Sequence, residues 1–168
     1  MAEQKAYWFV AKTRHGAELG VRNRLTQLGV ENFVPTRMRR SSRGNAMVEE
    51  PLLTSFIFMR ATKHEALDLI HVFGVKANLV NDCATHQLMY VADKCLEDFR
   101  RVLAASIDEG GLVDRPLSVG EKVRVTHGAL KGVEGYVLEL QGRIYVVVGL
   151  LNCLFARARV PRAWLEII

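Results

Sequence analysis

The sequence predicts an α+β domain, with helices packed on an antiparallel sheet, followed by a small all-β barrel. Three observations carry this reading. Over residues 1–105, short apolar runs of strand character alternate with segments of helical period. Residues 106–117 have no periodicity and contain Asp108-Glu109-Gly110-Gly111 and Pro116, the composition of a linker. Residues 118–168 hold five short β-prone runs punctuated by Gly128, Gly132, Gly142 and Pro161. So many strands in so short a segment bury an apolar face most economically by closing on themselves. The expected domains are therefore 1–105 and 118–168, joined by the linker 106–117.

Taken in order, Tyr7–Lys12 is aromatic and reads as a buried strand. From Gly16 onward Ala17, Val21, Leu25 and Leu28 share one helical face, with Glu18, Arg22, Arg24 and Gln27 elsewhere and Gly29 as the stop. Asn32–Val34 forms a short strand ended by Pro35. Residues 36–50 are polar, with a turn signal at Ser41–Asn45, and read as a basic hairpin or long loop. Ser55–Arg60 is a strand. Thr62 and Glu65 have the spacing of a capping box, opening a helix that carries Ala66, Leu67, Leu69 and Ile70. Val75–Val80 returns as a strand. Val91, Cys95, Phe99 and Val102 then follow at helical spacing, through about Leu103. In the second domain the predicted strands are 122–125, 133–140, 144–149, 154–160 and 164–167.

The 168-residue chain carries a net charge of +5. Most of the excess lies in the first domain, with 15 Lys/Arg against 11 Asp/Glu over residues 1–105 and 8 against 7 beyond. Arg37, Arg39, Arg40 and Arg43 crowd one stretch; such a cluster attracts phosphate and is equally what a solvated hairpin tip looks like. No apolar run reaches the roughly 18 residues of a membrane span, and the opening Met-Ala-Glu-Gln-Lys is no secretory signal, so a cytoplasmic protein without membrane association is expected. Cys83, Cys95 and Cys153 are odd in number and widely spaced, arguing for reduced thiols. Cys83-x-x-His86 with Cys95 lacks a second close ligand pair for zinc. No Gly-rich phosphate loop or nucleophile motif is present, so neither an enzyme nor a cofactor is expected.

Two segments resemble known motifs. Val119–Gly128, followed by Leu130-Lys131-Gly132-Val133-Glu134-Gly135-Tyr136-Val137, resembles a KOW motif, with Val123 and Val125 facing inward and Gly135 letting the next strand bend across the barrel. It marks a fold more than a function, because these residues serve the barrel whatever it binds. Tyr7-Trp8-Phe9-Val10 before a helix, Phe33-Val34-Pro35 after it, and Pro51–Phe58 after a basic loop resemble the N-terminal (NGN) domain of the NusG family. The two together, in that order, cover nearly the whole chain. The resemblance implies a ferredoxin-like NGN domain that binds the clamp helices of RNA polymerase. It also implies an SH3-like KOW barrel that recruits other factors, termination factor Rho or a ribosomal protein among them, in a monomeric elongation factor.

Leu53-Thr54-Ser55-Phe56 stands where housekeeping NusG commonly has Phe-Pro-Gly-Tyr. It keeps the aromatic and loses the proline and glycine, which leaves the shape of that turn open. With the compact Arg-rich loop, this points to a specialised paralogue of the RfaH or UpxY type, acting in antitermination of selected operons. The family's polymerase-contacting positions fall on Leu53, Phe56 and Leu96, each of which could also be an ordinary core residue. Thr62, Lys63 and His64 match a loop that faces the opposite polymerase jaw, or are a helix cap. Lys12, Arg14, His15 and Arg24 match the basic face that touches the non-template DNA strand, although Lys12 stands where an apolar contact residue is common. The strongly β-prone Tyr145–Val148 predicts a stable barrel rather than a fold-switching segment. Two alternatives remain: the housekeeping NusG factor and, in another class, a ribosome-associated RNA-binding KOW protein. The near-neutral second domain argues against the latter.

Overall fold

The continuous run Trp8-Phe9-Val10-Ala11 makes the strand β1 (Tyr7–Thr13), and each of these four side chains is buried. An unbroken apolar run of this kind fits a strand covered on both faces. The computed structural model describes residues 4–105, 112–113, 120–150 and 154–168. They form two compact units, Met1–Ala92 and Asp93–Ile168.

In the first unit β1 is followed by α1 (Glu18–Gln27), β2 (Asn32–Phe33), β3 (Thr36–Arg40), β4 (Met47–Pro51), β5 (Phe56–Ala61), α2 (Lys63–His71), β6 (Ala77–Leu79) and β7 (Tyr90–Val91). The main sheet runs β2-β5-β1-β6, with β7 also pairing to β1, and all pairings are antiparallel. The β1–β5 register sets Phe9 opposite Met59 and Ala11 opposite Ile57. These residues form one core with Val21 and Leu25 of α1 and Ala66 and Leu69 of α2. The opposite face carries Trp8, Val10 and Phe58, also buried. Among the described residues β3 and β4 pair only with each other, as a separate ribbon.

Local signals set the helix limits. Thr62 Oγ1 accepts from the Glu65 backbone N–H at 3.2 Å, and Glu65 Oε2 accepts from the Thr62 N–H at 2.9 Å, the reciprocal capping box read from the sequence. At the end of α1, Gly29 adopts φ +73°, its N–H donates to Thr26 O and the Val30 N–H donates to Leu25 O. This Schellman closure satisfies carbonyls that would otherwise be orphaned, and glycine enters the left-handed region without steric cost. Two expectations are corrected. Val91, assigned to a helix by its spacing to Cys95, pairs with Trp8 in β7, and the helix begins at Asp93. Glu18, placed off the apolar face of α1, is buried, because it lies three and seven residues before Val21 and Leu25 on the same face.

The second unit comprises α3 (Asp93–Ala105), β8 (Leu112–Val113), β9 (Lys122–Val125), β10 (Glu134–Leu140), β11 (Arg143–Leu150), β12 (Leu154–Arg159), a 3-10 turn at Arg162–Trp164 and β13 (Leu165–Ile167). The sheet order is β13-β9-β10-β11-β12-β8, antiparallel throughout. Val123, Val125, Val146, Val148, Ala156 and Ala158 are buried. The helix α3, assigned to residues 1–105 by sequence, packs along β11 and β12 and groups with this unit. Of the expected linker 106–117, only Leu112 and Val113 lie within the described residues, where they pair with Ala156 and Phe155. Cys153 lies outside them.

Polar groups tie α3 to the loop between β9 and β10. Asp98 Oδ2 accepts from Lys94 Nζ at 2.8 Å and from the Glu134 N–H at 3.1 Å. Lys94 also donates to Gly132 O at 2.9 Å, and Arg101 donates to Ala129 O and Lys131 O at 2.8 Å each. Burial, and then the Asp98 carboxylate, push the Cys95 thiol above its ordinary value, so it stays protonated.

Two glycines separate packing from propensity. A Cβ on Gly135 would collide with the Val147 backbone carbonyl, whereas one on Gly20, inside α1, meets nothing within 4 Å. Gly135→Ala is expected to lower stability by about 1–3 kcal/mol, and Gly20→Ala to raise it by about 0.5–1 kcal/mol. Denaturant unfolding of the two variants, which should move in opposite directions, checks this.

Candidate functional site

The turn that leads from β4 into β5 is the structural centre of the candidate surface. Leu52 N–H donates to Pro35 O at 2.8 Å and opens it; Leu53 is half-buried and Thr54 exposed. Ser55 then adopts φ +69°, a left-handed conformation that costs a non-glycine residue roughly 1–3 kcal/mol. The turn thus keeps a glycine-like shape without a glycine.

Glu18 holds it. Its Oε1 accepts from the Ser55 N–H at 2.7 Å, while the Ser55 carbonyl accepts from the Thr13 N–H at 2.8 Å. Burial pushes the Glu18 carboxyl up, but the N–H groups of Ser55, Glu18 and Gly16 and the nearby His15 outweigh it, so the carboxyl titrates below its ordinary value. The charged carboxylate therefore bridges the first turn of α1 and the strained turn before β5.

The register of β1 against β5 pairs Lys12 with Phe56. Paired residues share a face, so the exposed Lys12 stands beside the half-buried Phe56, next to Leu53 at the same sheet end. Arg14 and His15, also exposed, continue from β1 into the loop before α1. Arg24 is exposed but lies six residues beyond Glu18 along α1, about 9 Å further on. The structure thus gathers Lys12, Arg14, His15 and Phe56 and leaves Arg24 at a distance.

Thr62, Lys63 and His64 sit at the other end of β5, beyond Ala61. The Thr62 side chain is engaged in the cap. Lys63 and His64 are exposed, and His64 Nε2 lies 3.2 Å from Asp68 Oδ2. Leu96, the third apolar position, is only 1% exposed within α3 and offers no surface. An ordinary core role describes it as it stands.

A further anchoring cluster escapes the sequence reading. Arg22 donates to Glu49 from both terminal guanidinium nitrogens, at 2.5 and 3.0 Å, and Thr36 Oγ1 donates to the same carboxylate at 2.8 Å. These bonds fix the β3–β4 ribbon to α1, and the Arg22 and Thr36 hydrogen bonds hold the Glu49 carboxyl below its ordinary value. No local pattern reveals a pair 27 residues apart. Glu18 did leave a signal, its spacing to Val21 and Leu25. Among the described residues no group of three or more His, Cys, Asp or Glu side chains is placed to hold a metal ion. No helix among them is long and apolar enough to cross a membrane.

With this geometry in hand, the family model described as transcription termination factor NusG matches residues 6–100. The chain belongs to the NusG family, whose members are transcription elongation and termination factors that bind RNA polymerase. Among solved structures, one of Thermotoga maritima NusG, described as showing its domain interaction, is similar at 16% identity over 98% of both chains, with a TM-score of 0.47. No curated protein matches the chain significantly.

The Glu18–Ser55 bond makes two predictions. Glu18→Ala should cost about 1–3 kcal/mol, the penalty of leaving buried donors unpaired. Because the folded carboxyl titrates below the unfolded value of about 4.3, its contribution is complete above that pH and is lost as the pH falls through the folded value. The deficit of the variant in urea unfolding should accordingly be largest near neutrality and shrink below about pH 4. Ser55→Gly should be tolerated or mildly stabilising, and Ser55→Val should lose about 1–3 kcal/mol; equal midpoints for the two would count against a strained turn.

Proposed function

We propose that the chain is a cofactor-free, non-enzymatic elongation and antitermination factor, a specialised NusG paralogue of the RfaH or UpxY kind. In this reading Leu53 and Phe56 grip the polymerase clamp helices, and Lys63 and His64 face the opposite jaw. Lys12, Arg14 and His15 hold the exposed non-template strand, with Arg24 as an outlying phosphate contact. The second unit is an SH3-like KOW module for a further partner, Rho or a ribosomal protein.

The observation that carries the reading is the cross-strand pairing of Phe56 with Lys12 at one sheet end. It sets an accessible aromatic, suited to a protruding helical pair, beside cations suited to phosphate. The other jaw-facing residues lie beyond the opposite end of β5, a strand of six residues spanning roughly 20 Å. Two contact points so separated suit a protein that bridges a cleft. Bridging acts without covalent chemistry, by favouring the closed polymerase over the open one through tighter binding.

The test is elongation through a pause site on a defined template. The protein should shorten dwell times, and Phe56→Ala should weaken polymerase binding at least tenfold, about 1.4 kcal/mol or more. Unchanged dwell times together with no polymerase co-purification would reject the proposal. Lys12→Ala with Arg14→Ala should flatten the salt dependence of binding to an elongation complex while sparing binding to polymerase without DNA. Deleting the gene separates the specialised factor, with few long operons affected, from a housekeeping one. Co-sedimentation with ribosomal subunits would favour the RNA-binding alternative instead.

A further inference from the structure

We propose that the β3–β4 ribbon is a second, independent nucleic-acid contact that binds duplex DNA through Arg40 and Arg43 at its tip. Among the described residues the ribbon pairs with no other strand, and it is held at its base, through Glu49, to Arg22 of α1. Its four arginines are not equivalent. Arg37 and Arg39 share the single Glu50 carboxylate, at 3.0 and 3.2 Å, which offsets one of their two charges. Beyond them, residues 40–48 contain no carboxylate, and among the described residues none lies within 4.0 Å of the Arg40 or Arg43 guanidinium. Positive charge is therefore concentrated at the free end of the ribbon.

The two strands below the polar turn also expose apolar side chains. Met38 and Met47 are 58% and 56% exposed and lie on the ribbon face that carries Arg40. Val48 is exposed on the other face. Guanidinium groups clamp phosphate oxygens in bidentate fashion, and exposed methyl groups suit the thymine methyls and sugar edges lining a groove. The shape narrows the partner further. A two-stranded ribbon fits the B-form major groove, about 12 Å wide, whereas the A-form major groove is too deep and narrow for side chains to read. With strands of five residues, about 17 Å long, the ribbon reaches across one groove. Duplex DNA, rather than double-stranded RNA or an anionic membrane, is the ligand that meets each of these features.

The proposal needs no polymerase, so its fate is separate from that of the clamp-helix reading. The experiment is fluorescence anisotropy of the full chain with a labelled mixed-sequence DNA duplex of about 20 base pairs, titrated across salt concentrations. Parallel titrations use double-stranded RNA of the same length and phosphatidylserine vesicles. Each released phosphate contact contributes about 0.9 to the slope of log affinity against log salt. Arg40→Ala with Arg43→Ala should therefore lower that slope by about 1.8 and weaken binding most at low salt. Arg37→Ala should lower the slope by clearly less than the tip pair does, because Glu50 offsets part of the charge at the base. The loss should persist when Lys12 and Arg14 are also alanine, which removes the other cationic cluster. Unchanged far-UV circular dichroism shows that the exposed substitutions leave the fold intact. An unchanged slope in the Arg40/Arg43 variant, or equal or tighter binding to the RNA duplex or the vesicles, overturns the proposal.

Discussion

Strand β1 is hydrogen-bonded along both edges and covered on both faces, and the rest of the first unit depends on that constraint. One edge is taken by β5 and the other by β6 and β7. A one-residue slip of β5 would turn Ile57 and Met59 away from the helices and bring Phe56 and Phe58 inward, so the register is strongly specified. Fixing the register fixes the ends. One end receives Lys12, Arg14 and His15 against the turn at Ser55–Phe56; the other leads through Ala61 into the cap of α2. Functional geometry here follows from core packing rather than from any local preference of the exposed residues.

The turn before β5 shows how a costly local conformation is retained. A serine at φ +69° is disfavoured, and a buried glutamate would be costly if left unpaired. Joined by a hydrogen bond, each offsets the other: the carboxylate accepts backbone donors that would otherwise be orphaned, and the serine is pinned in a shape that delivers Phe56 to the sheet end. The depressed titration of Glu18 is the electrostatic trace of that arrangement. Removing either partner exposes the cost of the other, so the pair should behave as a coupled unit rather than as two independent contributions.

What the sequence disclosed divides along the same line between local and tertiary. The capping box at Thr62 and Glu65 and the glycine stop at Gly29 rest on neighbours in the chain and are legible, while residues 36–50 read as a hairpin or a long loop and only the structure decides for the hairpin. Val91 was misassigned because its four-residue spacing to Cys95 mimics a helix, while its hydrogen bonds go to Trp8, far away in sequence. The link between Arg22 and Glu49, and that between Glu18 and Ser55, depend on the folded register and leave no motif. Positions carried over from the family resemblance met the same limit. Sequence could align Leu53, Phe56 and Leu96, but only coordinates distinguish two half-buried side chains from one that is sealed.

That distinction bears on how a partner would be recognised. The first unit offers a small apolar contact, Leu53 and Phe56, bordered by exposed cations. So few half-buried groups supply limited binding energy, since affinity concentrates in a handful of well-packed anchors. Rim charges, by contrast, act chiefly on the rate of encounter and its salt dependence. Under the proposed function, a chain built this way would find an anionic assembly quickly and let go of it unless a second contact formed. The charges are placed to supply one, because Lys12, Arg14 and His15 flank Phe56 while Arg40 and Arg43 project from a separate ribbon braced on α1. Several weak, spatially separated contacts held on one rigid frame reinforce each other when they are engaged together. The rigidity of β1 and β5 is what would let them engage at once.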